Sequence, residues 1–270
     1  MADSPSLWEL RRRSLVRARK RRREGDAEGL HDFRVALRRT AATAGALGRR
    51  KVERRALEIV RSLSSDRQSE VDRALLARVR ALGLLSDDAS TALEIRWKPA
   101  IAASRTDRAA TGKEEKQFHR LTRKLRRLAS RPVTEEVQRL LAKRSEAEAG
   151  LAKPPAKDDD RSLHRYRIRV KRARYLAEDL VASGRPEFEA SVARERAAQD
   201  VLGRWNDLRL FLERIDRERT KAERRGTVRL AAELEDLTKA LETPLAGLCR
   251  EAAATARGLS TSISTAARSA

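Results

Sequence analysis

The sequence lacks the features that mark secreted and membrane-spanning proteins. Its single cysteine, Cys249, excludes an intrachain disulfide. No apolar run approaches the roughly 18 residues that a transmembrane helix needs, so we expect no membrane insertion. Residues 1–15 are polar and contain no apolar segment of a secretory signal. These absences predict a cytoplasmic protein.

Aromatic residues are also scarce, at 3% of the 270 residues. Few rings are therefore available for stacking on nucleic-acid bases. The chain is instead dominated by Ala, Leu, Arg and Glu, a composition that favours helix over sheet. The composition predicts an all-α fold.

Charge of one sign is in large excess. Lys and Arg number 62 against 40 Asp and Glu, which gives a formal net charge of +22. A field of this strength favours polyanionic partners, namely nucleic acid, an anionic membrane surface or polyphosphate. Charge alone does not choose among them.

The spacing of apolar residues predicts a succession of helices separated by Gly, Pro and Asp. One long segment should break between Lys98 and Gly112, because a residue before proline disfavours helix. The linker at 151–161 is rich in Pro and Asp, and its acids suit the start of the next helix. The predicted helices are 6–24, 27–49, 51–63, 66–82, 88–130 with that break, 134–150, 162–183, 187–202, 206–225 and 227–257.

The most informative feature is an internal repeat. Residues 30–39 read LHDFRVALRR and residues 163–172 read LHRYRIRVKR, so that His31 and His164 align at an offset of 133 residues. A weaker similarity aligns residues 63–71 with 202–210. The repeat predicts that the halves are two copies of one helical hairpin unit, and a two-fold pseudosymmetric pair would place a shared groove between them. The expected boundaries are one domain at 1–257, repeats at about 6–130 and 134–257, and a flexible tail at 258–270.

The second copy places cations between apolar residues on a helical wheel. One arc of roughly 80° holds His164, Arg167, Lys171, Arg174 and Glu178. Leu163, Val170 and Ala177 flank this arc on one side, and Ile168 and Tyr175 flank it on the other. Arg165, Arg169 and Arg172 lie on the opposite, solvent-facing side.

The first copy has the same layout with a shorter stripe. Its cationic arc consists of His31, Arg34 and Arg38. Arg39 falls on the solvent side, and Ala41 stands where the second copy has Arg174. Enclosed cations need counter-charge. Internal acids such as Glu178 or Asp207, water, or a bound polyanion can supply it, and the histidines fit either a core role or phosphate contact.

These paired motifs resemble the CHAD domain, the conserved histidine α-helical domain. The matching patterns are H-x-x-R-V-x-x-R-R and H-x-x-R-I-x-x-K-R-x-R-Y-x-x-E, and residues 202–207 are similar to that family's L-G-x-x-x-D segment. The resemblance covers residues 6–257. It implies two pseudosymmetric four-helix-bundle-like repeats around a basic central groove or pore, binding of inorganic polyphosphate, and association with polyphosphate granules.

By position, the resemblance implies a polyphosphate-binding stripe made of His31, Arg34, Arg38, Arg39, His164, Arg167, Lys171, Arg172 and Arg174. Arg67 and Arg209 are additional candidates, with surface placement as the alternative for each. Ala41 replaces an Arg of the family pattern, and Gln68 replaces an Asp. Both departures lie in the first repeat.

No motif for catalysis, metal binding or a cofactor is present, so we expect no enzyme. His119 is expected to be a surface or packing residue. The alternative function is nonspecific nucleic-acid binding through the basic arm at residues 11–23. A bundle whose cations are only solvated is a third interpretation. The sequence leaves the oligomeric state undetermined.

Overall fold

The computed structural model describes residues 6–26, 28–106, 112–130, 133–156 and 159–269. The backbone in these ranges forms α-helices, one short 3₁₀ helix at Pro186–Phe188 and no β-strand, which confirms the all-α prediction. No helix within them combines the length and hydropathy needed to cross a membrane. The helices are α1 Leu7–Arg23, α2 Gly29–Ala46, α3 Arg50–Ser62, α4 Ser64–Ala81, α5 Asp87–Thr106, α6 Gly112–Ala129, α7 Val133–Leu151, α8 Asp160–Ala182, α9 Glu189–Arg224 and α10 Val228–Ser269.

Local capping explains several helix ends. Ser6 accepts a hydrogen bond from the Glu9 amide at the start of α1 (3.3 Å). Asp159 accepts one from the Ser162 amide at the start of α8 (2.7 Å), so the linker acid has the predicted role. Gly48 has a φ of 69° and ends α2 earlier than predicted, because this left-handed conformation terminates a helix and suits glycine.

The helices differ from the predicted boundaries at three places. Helix α9 continues through Gly203, because Leu202 and Trp205 beside it are buried and their packing outweighs the roughly 1 kcal/mol cost of one glycine. Helix α5 continues through Pro99, so this proline does not end it, but α5 ends at Thr106 and α6 begins at Gly112, within the predicted interval. Helix α10 extends beyond Gly258, where a frayed tail was predicted, and buries Leu259 and Ile263.

The chain divides into two compact units that interleave along the sequence. Unit 1 comprises Met1–Ser64, Thr106–Lys153 and Arg169–Arg196, and unit 2 comprises Ser65–Arg105, Pro154–Ile168 and Ala197–Ala270. Each unit therefore takes segments from both predicted repeats, and helix α8 contributes to both units. The pseudosymmetric arrangement of the repeats stays a prediction.

Unit 1 contains an apolar core with charged pairs embedded in it. The rings of Phe33 and Phe118 lie 5.8 Å apart within this core. The side chain of Arg144 is 1% exposed and donates to both carboxylate oxygens of Glu195 and to the Ala173 carbonyl. Such a buried guanidinium is tolerable only when its donors are satisfied in this way.

A second charged group in unit 1 joins three helices. Asp179 of α8 is fully buried, and it accepts hydrogen bonds from Arg11 of α1 and from Thr43 of α2, the latter at 2.6 Å. Burial raises the pKa of Asp179, while its contacts with Arg11 and Thr43 act in the opposite direction. This contact orients the predicted motif helices, α2 and α8, within one unit.

Unit 2 has its own core around two aromatic residues. Trp97 and Phe211 make an edge-to-face contact with ring centroids 6.2 Å apart. The guanidinium of Arg214 lies 4.1 Å from the centroid of the Trp97 ring and donates to buried Asp72. As in unit 1, a carboxylate neutralises the arginine that packs against the core.

The close approach of α1 and α2 depends on Gly29. A Cβ atom at this position would lie 2.5 Å from the backbone nitrogen of Arg22. We therefore expect Gly29→Ala to lower the free energy of unfolding by about 1–3 kcal/mol or more, because backbone must move. Gly203→Ala is the control, since nothing lies within 4 Å of its added Cβ, and it should add roughly 0.5–1 kcal/mol. Urea unfolding followed by circular dichroism measures both, and equal stability for Gly29→Ala would contradict the packing.

Candidate functional site

The first motif copy lies on α2, and its members have different environments. His31 is half-buried in the first turn, and Arg38 and Arg39 are half-buried further along. Arg34 is 3% exposed and donates through Nη1 to the carbonyl of Leu63, the residue that ends α3. Arg34 thus braces the end of α3 from inside unit 1, in contrast to its predicted place in an open cationic stripe.

A pocket of about 500 Å³ in unit 1 brings together members of both motif copies. We call it the Arg38–Arg172 pocket. Arg38 comes from α2 and Arg172 from α8, and α3 completes the wall. Its lining residues are Arg38, Ala41, Ala42, Gly45, Ala46, Arg50, Glu53, Leu57 and Arg172.

Small residues of α2 make room for this pocket. Ala41 lies at the position where the family pattern has Arg, so the shorter stripe of the first copy leaves space between the arginines. A Cβ atom at Gly45 would lie 2.8 Å from Oε1 of Glu53. The carboxylate of Glu53 on α3 therefore lies directly against the backbone of α2 and lines the pocket.

The Arg38–Arg172 pocket has an excess of positive charge. Three arginines and one carboxylate line it. Within the described part of the chain, Arg50 and Arg172 make no ion pair. The planar fork of a guanidinium matches phosphate oxygens in a bidentate manner. The pocket can therefore accept an anion with several phosphate-like oxygens.

The carboxylate of Glu178 on α8 lies close to arginines from both motif copies. Its carboxylate lies 2.9 Å from Nε of Arg39, 3.0 Å from Nη1 of Arg174 and 3.8 Å from Nη2 of Arg196. Internal pairing by Glu178, one of the three alternatives left open by the sequence, thus occurs for Arg174. Arg39 was predicted on the solvent side and is instead held in this cluster, where one carboxylate serves three cations.

A second groove of about 380 Å³ lies between α1 and α2 in unit 1. We call it the α1–α2 groove. Arg17 has no partner among the described residues, and Arg13 is paired with Glu9 at 2.8 Å. Asp32 is the one carboxylate in the lining, which consists of Leu10, Arg13, Ser14, Arg17, Ala18, Arg21, Asp32, Val35, Ala36 and Arg39.

The basic arm at residues 11–23 is a packed helix. Arg19 is buried, contacts Glu115, and lies 4.0 Å from the centroid of the Phe118 ring. Arg22 lies 2.6 Å from Glu114. Several of the arginines that suggested a nucleic-acid-binding arm therefore hold α1 against α6.

The second copy begins in unit 2. Nδ1 of His164 lies 3.1 Å from Oδ1 of Asn206, which is 4% exposed. Since an amide oxygen only accepts, this contact places the proton on Nδ1. Arg167 is half-buried, as is Lys171 further along the helix in unit 1. Ile168 was predicted to enclose the stripe but is 52% exposed, because on the helical wheel it lies next to the solvent-facing Arg165 and Arg172.

The remaining candidates have ordinary surroundings. Arg209 pairs with Glu213 one turn away, and its guanidinium lies 5.8 Å from the centroid of the Trp205 ring. The side chain of Arg67 lies outside the described residues. His119 is exposed and lies 3.0 Å from Glu115, which confirms its predicted surface role. In the described ranges, no group of three or more His, Cys, Asp or Glu side chains is placed to hold a metal ion.

The sequence interpretation missed Arg50 and Glu53 of α3. The connection between α2 and α3 spans only residues 47–49. A connection this short makes successive helices antiparallel neighbours, so the first turn of α3 must return beside the last turn of α2. Connection length was the signal that could have found these two residues.

Glu53 should weaken anion binding in the Arg38–Arg172 pocket. We expect Glu53→Gln to raise the affinity for tripolyphosphate by an amount on the order of 1 kcal/mol, about fivefold, because a nearby like charge is removed. Glu58→Gln is the matched control, since Glu58 lies on the same helix and pairs with Arg54 outside the pocket. Isothermal titration calorimetry measures both, and an equal gain in the control would contradict a local effect.

Comparisons with known proteins identify a family and a fold. The model of the CHAD domain family matches residues 7–216. The fold is similar to that of a solved protein, PptA from Streptomyces chartreusis, with a TM-score of 0.67 and 17% sequence identity over 94% of this chain and 99% of that chain. At this identity the likeness concerns the fold alone. No curated protein matches the sequence.

Proposed function

Since the chain belongs to the CHAD domain family, we propose that it binds inorganic polyphosphate in the Arg38–Arg172 pocket and does not turn it over. A linear chain of phosphates carries charge at regular spacing, and it suits a surface with several arginines. This binding would recruit the protein to polyphosphate granules. The excess of 62 basic over 40 acidic residues supports such a partner through long-range attraction.

One observation carries the proposal. Arg38 and Arg172 belong to the two motif copies, and both line one pocket in unit 1. Arg50 adds a third guanidinium, and Glu53 is the one opposing carboxylate among the lining residues. Hydrogen bonds to charged groups contribute roughly 1.5–3 kcal/mol each. A few of them are sufficient for strong binding when they act on one ligand.

The α1–α2 groove would extend the binding surface for longer chains. It lies on another side of α2 in the same unit, and Arg13 and Arg17 are its exposed cations. A phosphate chain that reaches this groove would also meet Arg39, whose partner Glu178 is shared with two other arginines. Because one carboxylate faces three guanidinium groups, part of their positive charge is not neutralised, and this charge favours binding of an anion nearby.

His31, His164, Arg167 and Lys171 are proposed as further contacts. Asn206 accepts a hydrogen bond from Nδ1 of His164, so Nε2 is the ring atom left to meet a phosphate oxygen. Nε2 donates to that oxygen only when both ring nitrogens carry a proton. Arg34 is excluded from the proposed contact set because it is buried and holds the Leu63 carbonyl.

The proposed binding is non-catalytic. The sequence contains none of the motifs that organise metal-dependent phosphoryl transfer. Polyphosphate incubated with the protein and Mg²⁺ should keep its length distribution on a polyacrylamide gel. Progressive shortening, or release of orthophosphate, would contradict this part of the proposal.

Replacing the two motif arginines tests the pocket. We expect Arg38→Gln/Arg172→Gln to weaken binding of long-chain polyphosphate at least about tenfold, because two charged donors are lost. The slope of log K against log salt concentration should fall by about 1–2. Fluorescence anisotropy of labelled polyphosphate measures both quantities.

The matched control for this variant is Arg120→Gln/Arg123→Gln. Both arginines are exposed on α6 in unit 1, have no partner among the described residues, and carry the same total charge. The control should bind nearly as tightly as wild type. Equal losses in the two double variants would assign the affinity to diffuse charge and contradict a specific pocket.

Competition separates polyphosphate from nucleic acid as the partner. The protein on immobilised polyphosphate is challenged with DNA, RNA or free polyphosphate at equal phosphate concentration near physiological salt. We expect free polyphosphate to displace it best, because base stacking has few aromatic partners in this chain. Preferential displacement by DNA or RNA would favour nonspecific nucleic-acid binding, although several arginines of α1 are held in contacts with α6.

A further inference from the structure

A third pocket in unit 1, of about 400 Å³, lies where α3 begins beside α6. We call it the α3–α6 pocket. Neither motif copy contributes to it, and it shares Arg50 with the Arg38–Arg172 pocket. Its lining residues are Gly48, Arg49, Arg50, Lys51, Val52, Lys124 and Leu128.

The lining of the α3–α6 pocket contains four cations and no carboxylate. Within the described part of the chain, Arg50, Lys51 and Lys124 make no ion pair. Arg49 lies 3.8 Å from Glu136, whose same oxygen already accepts the indole hydrogen bond of Trp8 at 2.8 Å. The cations of this pocket therefore have almost no carboxylate to neutralise them, whereas most of the buried arginines elsewhere in unit 1 are paired with carboxylates.

Like charges face each other across the contact between these helices. Burial lowers the pKa of Lys124, and the charges of Arg55, Lys51 and Arg127 lower it further. Arg55 and Lys51 belong to α3, and Arg127 belongs to α6. These like charges make the ammonium form of Lys124 less favourable, and an anion between the helices would relieve the repulsion.

We propose that the α3–α6 pocket binds one phosphate group, at a site separate from the Arg38–Arg172 pocket. The side chains of Arg50, Lys51 and Lys124 supply the charge, and Arg50 can donate as a bidentate fork. The positive end of the α3 dipole adds to this field. The phosphate group comes either from free orthophosphate or from the end of a polyphosphate chain that passes Arg50.

Competitive acetylation of lysines tests the site in the intact wild-type protein. Trace acetic anhydride is applied in sodium orthophosphate or in sodium chloride of equal ionic strength, and each lysine is quantified by mass spectrometry. We expect orthophosphate to slow labelling of Lys51 and Lys124 at least threefold and to leave Lys116 unchanged. Lys116 is the control because it is exposed on α6 without a partner among the described residues. Equal labelling in both salts overturns the proposal.

The Arg38→Gln/Arg172→Gln background separates this site from the proposed function. Protection of Lys51 and Lys124 by orthophosphate should persist in that variant, even if polyphosphate binding elsewhere proves wrong. Stronger protection by tripolyphosphate in wild type, lost in the variant, would identify the chain end as the source of the phosphate. Protection by tripolyphosphate without any by orthophosphate would overturn a separate site.

A variant of Lys124 provides a second readout. Lys124→Met keeps the apolar stem and removes the charge, so in phosphate-free buffer its Tm should equal or exceed that of wild type. Orthophosphate should raise the Tm of wild type and of Lys116→Met more than that of Lys124→Met. An equal rise in all three proteins contradicts the site, as does a Tm for Lys124→Met that lies below wild type in phosphate-free buffer.

Discussion

The constraint on which the structure depends is the shortage of carboxylates for its arginines. Sixty-two basic residues compete for forty acidic ones. Most of the buried arginines are paired with carboxylates, since an unpaired buried charge costs several kcal/mol. The pairs Arg11–Asp179, Arg144–Glu195 and Arg214–Asp72 meet this need in the two units. The surplus of positive charge is consequently left on partly exposed surfaces, and in unit 1 it collects in pockets beside α2 and α3.

Small residues leave open space beside part of that surplus charge. Several residues of α2 that line the pocket are small, namely Ala41, Ala42 and Gly45. The arginines of α2, α3 and α8 therefore surround open space. A longer side chain at Ala41 would fill the pocket. Charge, shape and the two motif copies thus converge at one place within unit 1, and the proposed polyphosphate binding rests on that convergence.

The internal repeat predicted that α2 and α8 contribute to one site, and residues of both helices line the Arg38–Arg172 pocket, but the repeat did not predict the environment of each residue. Periodicity identified the helices, and the family resemblance indicated α2 and α8. Periodicity could not predict that Arg34 turns inward to a carbonyl of α3, or that Glu178 collects three arginines. Those outcomes depend on tertiary neighbours that no local pattern specifies. The predicted helix end before Gly203 was wrong for the same reason. The packing of its buried neighbours on α9 outweighs the poor helix propensity of glycine.

The most direct test of polyphosphate binding is a crystal structure of the protein with a linear polyphosphate of defined length. We predict phosphorus density within about 4 Å of the guanidinium groups of Arg38 and Arg172, consistent with charge-assisted hydrogen bonds. Density confined to the outer face of α6, near Arg120 and Arg123, would contradict binding in the pocket. So would a complex in which the pocket is empty while the phosphate chain is ordered elsewhere.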